Sequence, residues 1–217
     1  MGSSASERIY KHRRAALVTH LRERGVNNER VLRAIGRVPR HQFVEPAFRE
    51  RAYKDEALPI GQNQTISQPF TVAYQTRLLD PAPGSRVLEV GTGSGYQASV
   101  LCEMDVKVFS IERHAALLHR ARHRLRTLGY EVRLRCGDGT KGWPAFAPYD
   151  GILVTAGAPT VPDPLLNQLS VDGGRLVMPV GPSGQHVMHR VTRRGPERYT
   201  RSTFDTFRFV PLVSDEA

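Results

Sequence analysis

The 217-residue sequence predicts an α/β fold built on a mostly parallel, seven-stranded β-sheet. From Arg86 onward, short apolar runs typical of strands alternate with segments of helical periodicity, the pattern of parallel strands joined by helices. Residues before position 81 lack this alternation. We therefore expect an N-terminal extension of helices and loops, residues 1–80, packed on a core formed by residues 81–217.

The extension is predicted to contain three helices and one long loop. Two helices fall within residues 7–38, the second of them capped by Asn28. Residues 39–68 have no periodicity, and a loop of this length inside a compact chain is usually functional. Pro69 suits the first position of a third helix, which we expect to end near residue 79.

The core is predicted to contain seven strands, with helices that begin near Gly95, Arg113 and Pro164. The strands are expected at residues 86–90, 106–111, 132–135, 151–155, 174–180 and 187–192, with the last near 206–211. The helix from Arg113 has an apolar stripe surrounded by arginines and histidines. We interpret this charged part as a solvated outer face rather than a nucleic-acid patch.

Composition restricts the classes of protein that fit. With 40% hydrophobic and 24% charged residues, the chain can form a real core, which excludes a largely disordered protein. It has no apolar run of about 18 residues and no signal-peptide pattern at its start, so we expect a cytoplasmic protein without a membrane span. Cys102 and Cys136 lack metal-ligand spacing, so we expect free thiols and no metal site.

The chain carries 31 basic and 21 acidic residues, a formal net charge of +10. A basic surface attracts nucleic acids or acidic peptides. A codon bias toward arginine explains the same composition without any partner, and the basic residues are scattered along the chain. We favour the compositional explanation, so a nucleic-acid partner is not expected.

The most informative local pattern is an apolar strand that runs into Gly91, Gly93 and Gly95 and then a helix. Glycines let the backbone approach a cofactor closely. A dinucleotide site would have its third glycine at position 96, where this chain has Tyr96. Glu89, just before the turn, would repel a diphosphate but attract a cation or accept a hydrogen bond from an amine.

S-adenosylmethionine satisfies both conditions, because it has no phosphate, a cationic sulfonium and an ammonium group. Glu112, at the end of the second core strand, is placed to accept both ribose hydroxyls. Asp138, after the third, is placed to accept a hydrogen bond from the adenine amine. Acids at three consecutive strand ends, beside a glycine turn, therefore predict this cofactor.

The methyl acceptor has to lie roughly 3 to 3.5 Å from the methyl carbon, opposite sulfur. Enzymes that methylate exocyclic base nitrogens resemble one another in an Asn/Asp-Pro-Pro-Tyr element after the fourth strand, where this chain has VTAGAP at residues 154–159. A carboxylate is already an anion at neutral pH and requires no general base. The sequence therefore favours a carboxylate acceptor.

Six segments, in order along the chain, resemble the protein-L-isoaspartate (D-aspartate) O-methyltransferase family. They are QTISQP (64–69), EVGTGSGY (89–96), GDG (137–139), APYD (147–150), GGRL (173–176) and FVPL (209–212). VPR (38–40) and ALPIG (57–61) extend the resemblance to roughly residues 30–213. Gln62 and Asn63 replace the family's more usual histidine and glycine, a departure that bears on loop shape and peptide preference.

The resemblance implies a Rossmann-like, class I S-adenosylmethionine-dependent methyltransferase. The implied reaction esterifies the carboxylate of isoaspartyl or D-aspartyl residues in damaged proteins and peptides. The ester then loses methanol to give a succinimide, whose hydrolysis partly restores aspartate. The resemblance places the active-site serine at Ser67. We expect Ser67 to orient the acceptor carboxylate, aided by Thr65 and by the free N–H groups of the helix at Pro69, and to form no covalent intermediate.

The predicted site has one catalytic residue, Ser67. The predicted cofactor-binding residues are Gln64, Thr65, Ile66, Ser67, Glu89, Gly91, Thr92, Gly93, Gly95, Glu112, Asp138 and Gly139. The predicted substrate-binding residues are Thr65, Ser67 and Val213, the last because it corresponds to a C-terminal position that lines the site in the family.

Two other functions are compatible with these residues. A dedicated O-methyltransferase could modify an ordinary aspartate of a constrained biosynthetic peptide, with the excess of arginine serving an acidic precursor. An RNA-binding protein could retain an inert cofactor fold, although the complete segment around Ser67 argues against it. The chain ends six residues after Pro211, whereas a specialist often has an added C-terminal region. We therefore expect the general repair enzyme, acting as a monomer.

Overall fold

The structure is a computed structural model that describes residues 2–214, with side chains described from residue 6 onward. The helices are α1 (Gly2–Glu23), α2 (Glu29–Arg37), α3 (Pro69–Leu79), α4 (Tyr96–Cys102), α5 (Ala115–Thr127) and α6 (Asp163–Asn167). The strands are β1 (Leu58–Gly61), β2 (Gln64–Ile66), β3 (Arg86–Val90), β4 (Lys107–Glu112), β5 (Val132–Cys136), β6 (Gly151–Val154), β7 (Arg175–Val180), β8 (His186–Arg193) and β9 (Tyr199–Phe207).

Strands β3 to β9 form one sheet in the order β5-β4-β3-β6-β7-β8-β9. The four pairings from β5 to β7 are parallel, and β8 and β9 are added antiparallel at one edge. The predicted mostly parallel, seven-stranded sheet is therefore confirmed. From β3 the chain moves outward through β4 to β5 and then returns to β6 on the other side of β3. Such a reversal opens a ligand crevice at the carboxyl ends of the central strands.

The N-terminal extension packs on the sheet's helical layer through one hydrophobic cluster. This cluster joins Leu21 of α1 and Ile35 of α2 to Tyr96 and Val100 of α4 and to Leu125 of α5. Helix α3 contributes Val72 and Ala73 to this cluster and also packs against β6 and β7. This cluster contains side chains from before and after residue 80. The proposed division of the chain at that residue therefore stays a prediction.

The last strand differs from the sequence prediction. It was expected near residues 206–211, but β9 spans Tyr199–Phe207. Most of β9 is exposed on the edge of the sheet, so its polar side chains lack the alternation that predicts a strand. The apolar residues 210–212 lie beyond β9 and line a cavity.

The segment 39–68, predicted to be a loop without regular structure, contains two 3₁₀ helices, Arg40–Gln42 and Pro46–Arg51. It also contains an antiparallel hairpin formed by β1 and β2. Each of these elements has three to six residues, too few to produce a periodic signal. The prediction was therefore wrong about local structure in this segment.

No helix within residues 2–214 combines the length and apolar character needed to cross a membrane. Among the described side chains, no group of three His, Cys, Asp or Glu is arranged to hold a metal ion. Cys102 and Cys136 are both free.

Candidate active site

A cavity lies at the carboxyl ends of β3, β4 and β6, where the sheet topology predicts a crevice. One wall is formed by the hairpin and the other by the glycine turn, with the C-terminal segment across the opening. The lining residues are Ile60, 64–67, Val72, 90–94, Tyr96, Gln97, 111–114, Gly139, Thr155, Ala156 and 210–213. Segments separated by up to 150 residues in the chain therefore meet around one space.

The glycine turn keeps its backbone open to this cavity. Gly91, Gly93 and Gly95 have φ values of 99°, 54° and 90°, in the left-handed region that favours glycine. A Cβ at Gly91 would collide with the hydroxyl of Thr155, which donates a 2.9 Å hydrogen bond to the Gly91 carbonyl. The Gly91 N–H donates to the carbonyl of Ile111 at 2.9 Å. The turn is thus held by backbone bonds and by the Thr155 hydroxyl, and its glycines add no side chain to the cavity.

Glu112 lies on the cavity wall, where its predicted role requires it. Its Oε2 accepts a hydrogen bond from the Gly93 N–H at 2.8 Å, and its Oε1 accepts one from the His114 N–H at 2.9 Å. The side chain is almost fully buried. Each carboxylate oxygen has a further lone pair, so Glu112 both fixes the turn and retains capacity to accept hydroxyl donors.

Glu89 lies behind the cavity wall rather than on it. It is fully buried and accepts a hydrogen bond from the Ser110 hydroxyl, which lies 2.6 Å from the hydroxyl of Thr92 on the glycine turn. Burial raises the pKa of Glu89 to about 8, although the hydrogen bond from Ser110 acts in the opposite direction. Its predicted contact with a cofactor amine stays a prediction, and in this structure Glu89 reaches the turn only through Ser110.

Two other predicted cofactor residues also lie outside the cavity lining. Asp138 accepts hydrogen bonds from the Thr140 N–H at 2.8 Å and the Thr140 hydroxyl at 2.7 Å, so its carboxylate caps the 3₁₀ helix Gly139–Lys141. Gly95 faces Leu125, which a Cβ would approach at 3.2 Å. The adenine role of Asp138 and the contact at Gly95 stay predictions, whereas the neighbouring Gly139 does line the cavity.

The opposite wall consists of residues 64–67, and all four line the cavity. The side chain of Thr65 is exposed and that of Ser67 is half-buried. His41, the histidine closest to Ser67 in sequence, is bonded through Nδ1 to the Tyr53 hydroxyl at 2.8 Å. It is therefore engaged elsewhere and does not activate Ser67 as a nucleophile.

The free N–H groups at the start of α3 were predicted to help bind the acceptor carboxylate. The structure corrects this in part, because Asp55 Oδ1 already accepts a hydrogen bond from the Phe70 N–H at 2.8 Å. Asp55 also pairs with Arg24, whose guanidinium lies 3.7 Å from the centre of the Phe70 ring. The helix end is thus capped from within the protein, and this N–H is not available to a substrate carboxylate.

Arg40 is the last residue of the VPR segment (38–40), and no role in the site was predicted for it. It is 1% exposed, and its Nε donates to the Ala52 carbonyl at 2.8 Å while Nη2 donates to the Ser67 carbonyl at 2.8 Å. Its guanidinium lies 4.7 Å from the centre of the Tyr96 ring, in the first turn of α4. One buried cation thereby connects the Ser67 segment to the helix that follows the glycine turn.

The C-terminal segment crosses the opening of the cavity. The Gly157 N–H donates to the Val210 carbonyl at 2.8 Å, and the Leu212 N–H donates to the Gly157 carbonyl at 2.7 Å. Nη1 of Arg113 donates to the Val213 carbonyl at 3.1 Å. Val213 lines the cavity and is 39% exposed, and its predicted contact with a substrate stays a prediction.

Comparison with known proteins agrees with this arrangement. The sequence profile of the family described as protein-L-isoaspartate(D-aspartate) O-methyltransferase (PCMT) matches residues 12–217. The chain belongs to this PCMT family. A protein-L-isoaspartate O-methyltransferase from Salinibacter ruber is 61% identical over 221 residues, covering 98% of this chain and 96% of that protein.

Solved structures agree with the PCMT assignment and with the Rossmann-like methyltransferase fold. A protein-L-isoaspartate O-methyltransferase, 28% identical, superposes with a TM-score of 0.82 over 93% of this chain and 66% of its own. A Plasmodium falciparum protein described as a protein-L-isoaspartate O-methyltransferase, in complex with S-adenosyl-L-homocysteine, is 22% identical. It has a TM-score of 0.81 over 93% of this chain and 99% of its own, a similarity of fold.

Proposed function

We propose that this protein transfers the methyl group of S-adenosylmethionine to the free carboxylate of L-isoaspartyl or D-aspartyl residues in damaged proteins and peptides. The observation that carries the proposal is that the Ser67 segment and the glycine turn line the same cavity. Membership of the PCMT family supports the same reaction. The resulting ester loses methanol when the following backbone nitrogen attacks it, and hydrolysis of the succinimide partly restores aspartate.

The residues present fit this cofactor. Gly91 and Gly93 present bare backbone to the cavity, where an added Cβ would meet Thr155 or Ile60, and Glu112 offers carboxylate lone pairs to hydroxyl donors at the adjacent strand end. Gln64 to Ile66 on the opposite wall, with Thr92 and Gly139, complete the cofactor site that we propose. The cofactor supplies an electrophilic methyl group on a sulfonium.

The chain's task in the reaction is positioning. We assign Ser67 and Thr65 to donating hydroxyl hydrogen bonds to the acceptor carboxylate, and Val213 to contacting the substrate on the exposed side. A carboxylate is already ionised at neutral pH, so the site needs no general base. We also propose that the enzyme acts as a monomer in the cytoplasm, with isoaspartyl proteins as its partners.

Matched peptides test this function. The enzyme and a cofactor carrying a radiolabelled methyl group are incubated with two linear peptides that differ only in isoaspartate or aspartate at one position. We expect base-labile label on the isoaspartyl peptide at a rate at least about a hundredfold above the aspartyl one. The proposal would be refuted if no isoaspartyl peptide became labelled. Label only on an aspartyl residue within a closed ring would instead indicate the dedicated peptide-modifying enzyme.

A further inference from the structure

Helix α5 has an unusual distribution of charge. Its 13 residues include four arginines and two histidines but no aspartate or glutamate. His119, Arg122, His123 and Arg126 follow one another at the i, i+3, i+4, i+7 spacing, so they share one face, and all four are exposed. We refer to these four residues as the α5 basic face. Within the described residues, no salt bridge involves Arg122 or Arg126.

Neither helix stability nor codon bias explains the α5 basic face. Like charges at this spacing destabilise a helix by a few tenths of a kcal/mol per pair. Codon bias would replace lysine with arginine, but it would not remove acidic partners. Arginines of the N-terminal extension do have such partners, in the pairs Arg13–Glu50 at 2.6 Å and Arg22–Glu29 at 3.0 Å. Exposed arginines without a salt bridge, such as Arg194 and Arg198, occur elsewhere in the described residues, so what distinguishes α5 is that its basic residues share one face of a helix that has no acidic residue and that starts beside the cavity.

The other arginines of α5 have structural roles, which separates them from the α5 basic face. Arg120 donates to the Ile60 carbonyl at 2.8 Å, and Arg124 donates to the Ser94 carbonyl at 2.8 Å. The solvated face expected from the sequence is correct for the α5 basic face and for Arg120, which is exposed, whereas Arg124 is half-buried. Arg120 and Arg124 attach the helix to the hairpin and to the glycine turn.

The position of α5 connects its charge to the site. The helix starts directly after Arg113 and His114, which line the cavity. At about 1.5 Å per residue, the distance along the helix from position 113 to position 126 is roughly 20 Å. An extended peptide covers this distance with about six residues. A polypeptide whose isoaspartate enters the cavity can therefore place flanking residues on the α5 basic face.

We propose that the α5 basic face binds acidic side chains of the methyl-accepting polypeptide, located about three to six residues from the isoaspartate. This inference rests on the proposed function, because it requires a polypeptide acceptor in the cavity. Unpaired arginines attract carboxylates, increasing the rate of encounter, and salt screens this attraction. A polypeptide partner is favoured over a nucleic acid because α5 begins beside Arg113, which donates to the carbonyl of Val213, the residue assigned to substrate contact.

The test compares two double variants that change charge equally. Arg122→Glu/Arg126→Glu reverses the α5 basic face, and glutamate maintains helix propensity. Arg194→Glu/Arg198→Glu is the control: both arginines are exposed in the turn between β8 and β9, at the edge of the sheet opposite β5. The substrates are matched isoaspartyl peptides that contain either three glutamates or three glutamines. These residues lie three to six positions from the isoaspartate, on either side of it.

For the wild type, we expect kcat/KM to be about tenfold higher with the glutamate peptide at low ionic strength, and about twofold higher at 0.5 M salt. The α5 variant should lose this preference while its kcat/KM on the glutamine peptide stays within about twofold. The β8–β9 control should retain the preference. The double variant Arg122→Lys/Arg126→Lys should retain most of the preference for the glutamate peptide, because its positive charge is unchanged.

Three results would overturn the inference. The first is equal kcat/KM on glutamate and glutamine peptides in the wild type. The second is an equal loss of preference in both double variants, which would indicate an effect of net charge alone. The third is an unchanged peptide preference in the α5 variant together with lost binding of a single-stranded oligonucleotide, which would assign the surface to nucleic acid. Failure of the proposed function would look different, because no isoaspartyl peptide would then be methylated.

Discussion

The cofactor wall of the cavity, residues 90–95, contains three glycines in the left-handed region and is held by backbone bonds as well as by side chains such as Glu112. The acceptor wall, residues 64–67, contains no glycine and is held by side chains from distant positions. Arg40 binds the Ser67 carbonyl, and Asp55 caps the helix that follows. On the other wall, the Gly91 N–H bonds to the Ile111 carbonyl. The cofactor wall should therefore be sensitive to added atoms, and the acceptor wall to lost hydrogen bonds.

The largest effect is expected from adding one methyl group to the cofactor wall. In Gly91→Ala, the new Cβ meets the Thr155 hydroxyl in addition to the strain of a φ of +99°. Gly173→Ala is a matched control, because its φ is +94° but no atom lies within 4 Å of the added Cβ. We expect isothermal titration to show cofactor Kd raised at least about a hundredfold for Gly91→Ala and little change for Gly173→Ala. Similar Kd values for the two variants would contradict the steric explanation.

The next effect concerns a hydroxyl on the acceptor wall. Ser67→Ala should lower kcat/KM for an isoaspartyl peptide about a hundredfold, because a donor to the acceptor carboxylate is lost. Cofactor Kd should change by less than about threefold. Ser202→Ala, on the exposed part of β9, should leave both values unchanged. If Ser67→Ala instead weakens cofactor binding as much as it lowers turnover, its assignment to the acceptor is wrong.

Glu112→Ala should show the reverse pattern. It removes the acceptor for the Gly93 and His114 N–H groups and the proposed partner of the ribose hydroxyls. We expect cofactor Kd to rise about thirtyfold, while kcat at saturating cofactor falls by less than about threefold. An unchanged Kd in isothermal titration would refute the ribose assignment.

Arg40 tests whether the acceptor wall depends on remote support. Arg40→Met removes the bond to the Ser67 carbonyl, and Arg193→Met is a control far from the cavity, since Arg193 donates to the Leu169 carbonyl at 2.8 Å. Both variants should lower the free energy of unfolding by about 1–3 kcal/mol, and Tm by several degrees, because backbone carbonyls lose a charged hydrogen-bond donor. Only Arg40→Met should also lower kcat, by about tenfold. Equal kcat in the two stable variants would show that Arg40 contributes stability alone.

The smallest effect is a pH dependence behind the cofactor wall. Unfolded Glu89 titrates near its ordinary pKa of 4.5, whereas the buried group keeps its proton to about pH 8. Between these values the unfolded chain binds fewer protons, so the free energy of unfolding should fall as pH rises. Glu89→Gln lacks this titration. The difference in Tm between Glu89→Gln and the wild type should therefore increase by about 3–6 °C from pH 5 to pH 8.5. A Tm difference that stays constant over this pH range would contradict the prediction.

Elements with a strong local pattern were predicted well, and those without one were not. Helix α3 spans Pro69–Leu79, and β3 spans Arg86–Val90, both as expected. Strand β9 and the hairpin were missed because an exposed edge strand and elements of three to six residues carry too little hydrophobic periodicity. The role of Asp55 at α3 was missed because a cap supplied from 15 residues away has no local signature.

The positions of most strands, the glycine turn and the acids at strand ends are readable from the chain because backbone conformation and burial depend on neighbouring residues. The joining of the two walls depends on contacts between residues far apart, such as Arg40 with Ser67 and Tyr96 or Gly157 with Val210 and Leu212. Only packing decides which of 31 basic residues is buried beneath the acceptor segment and which remain on an open helix face. Charge type is a property of sequence, but its partner and its exposure are properties of the folded chain.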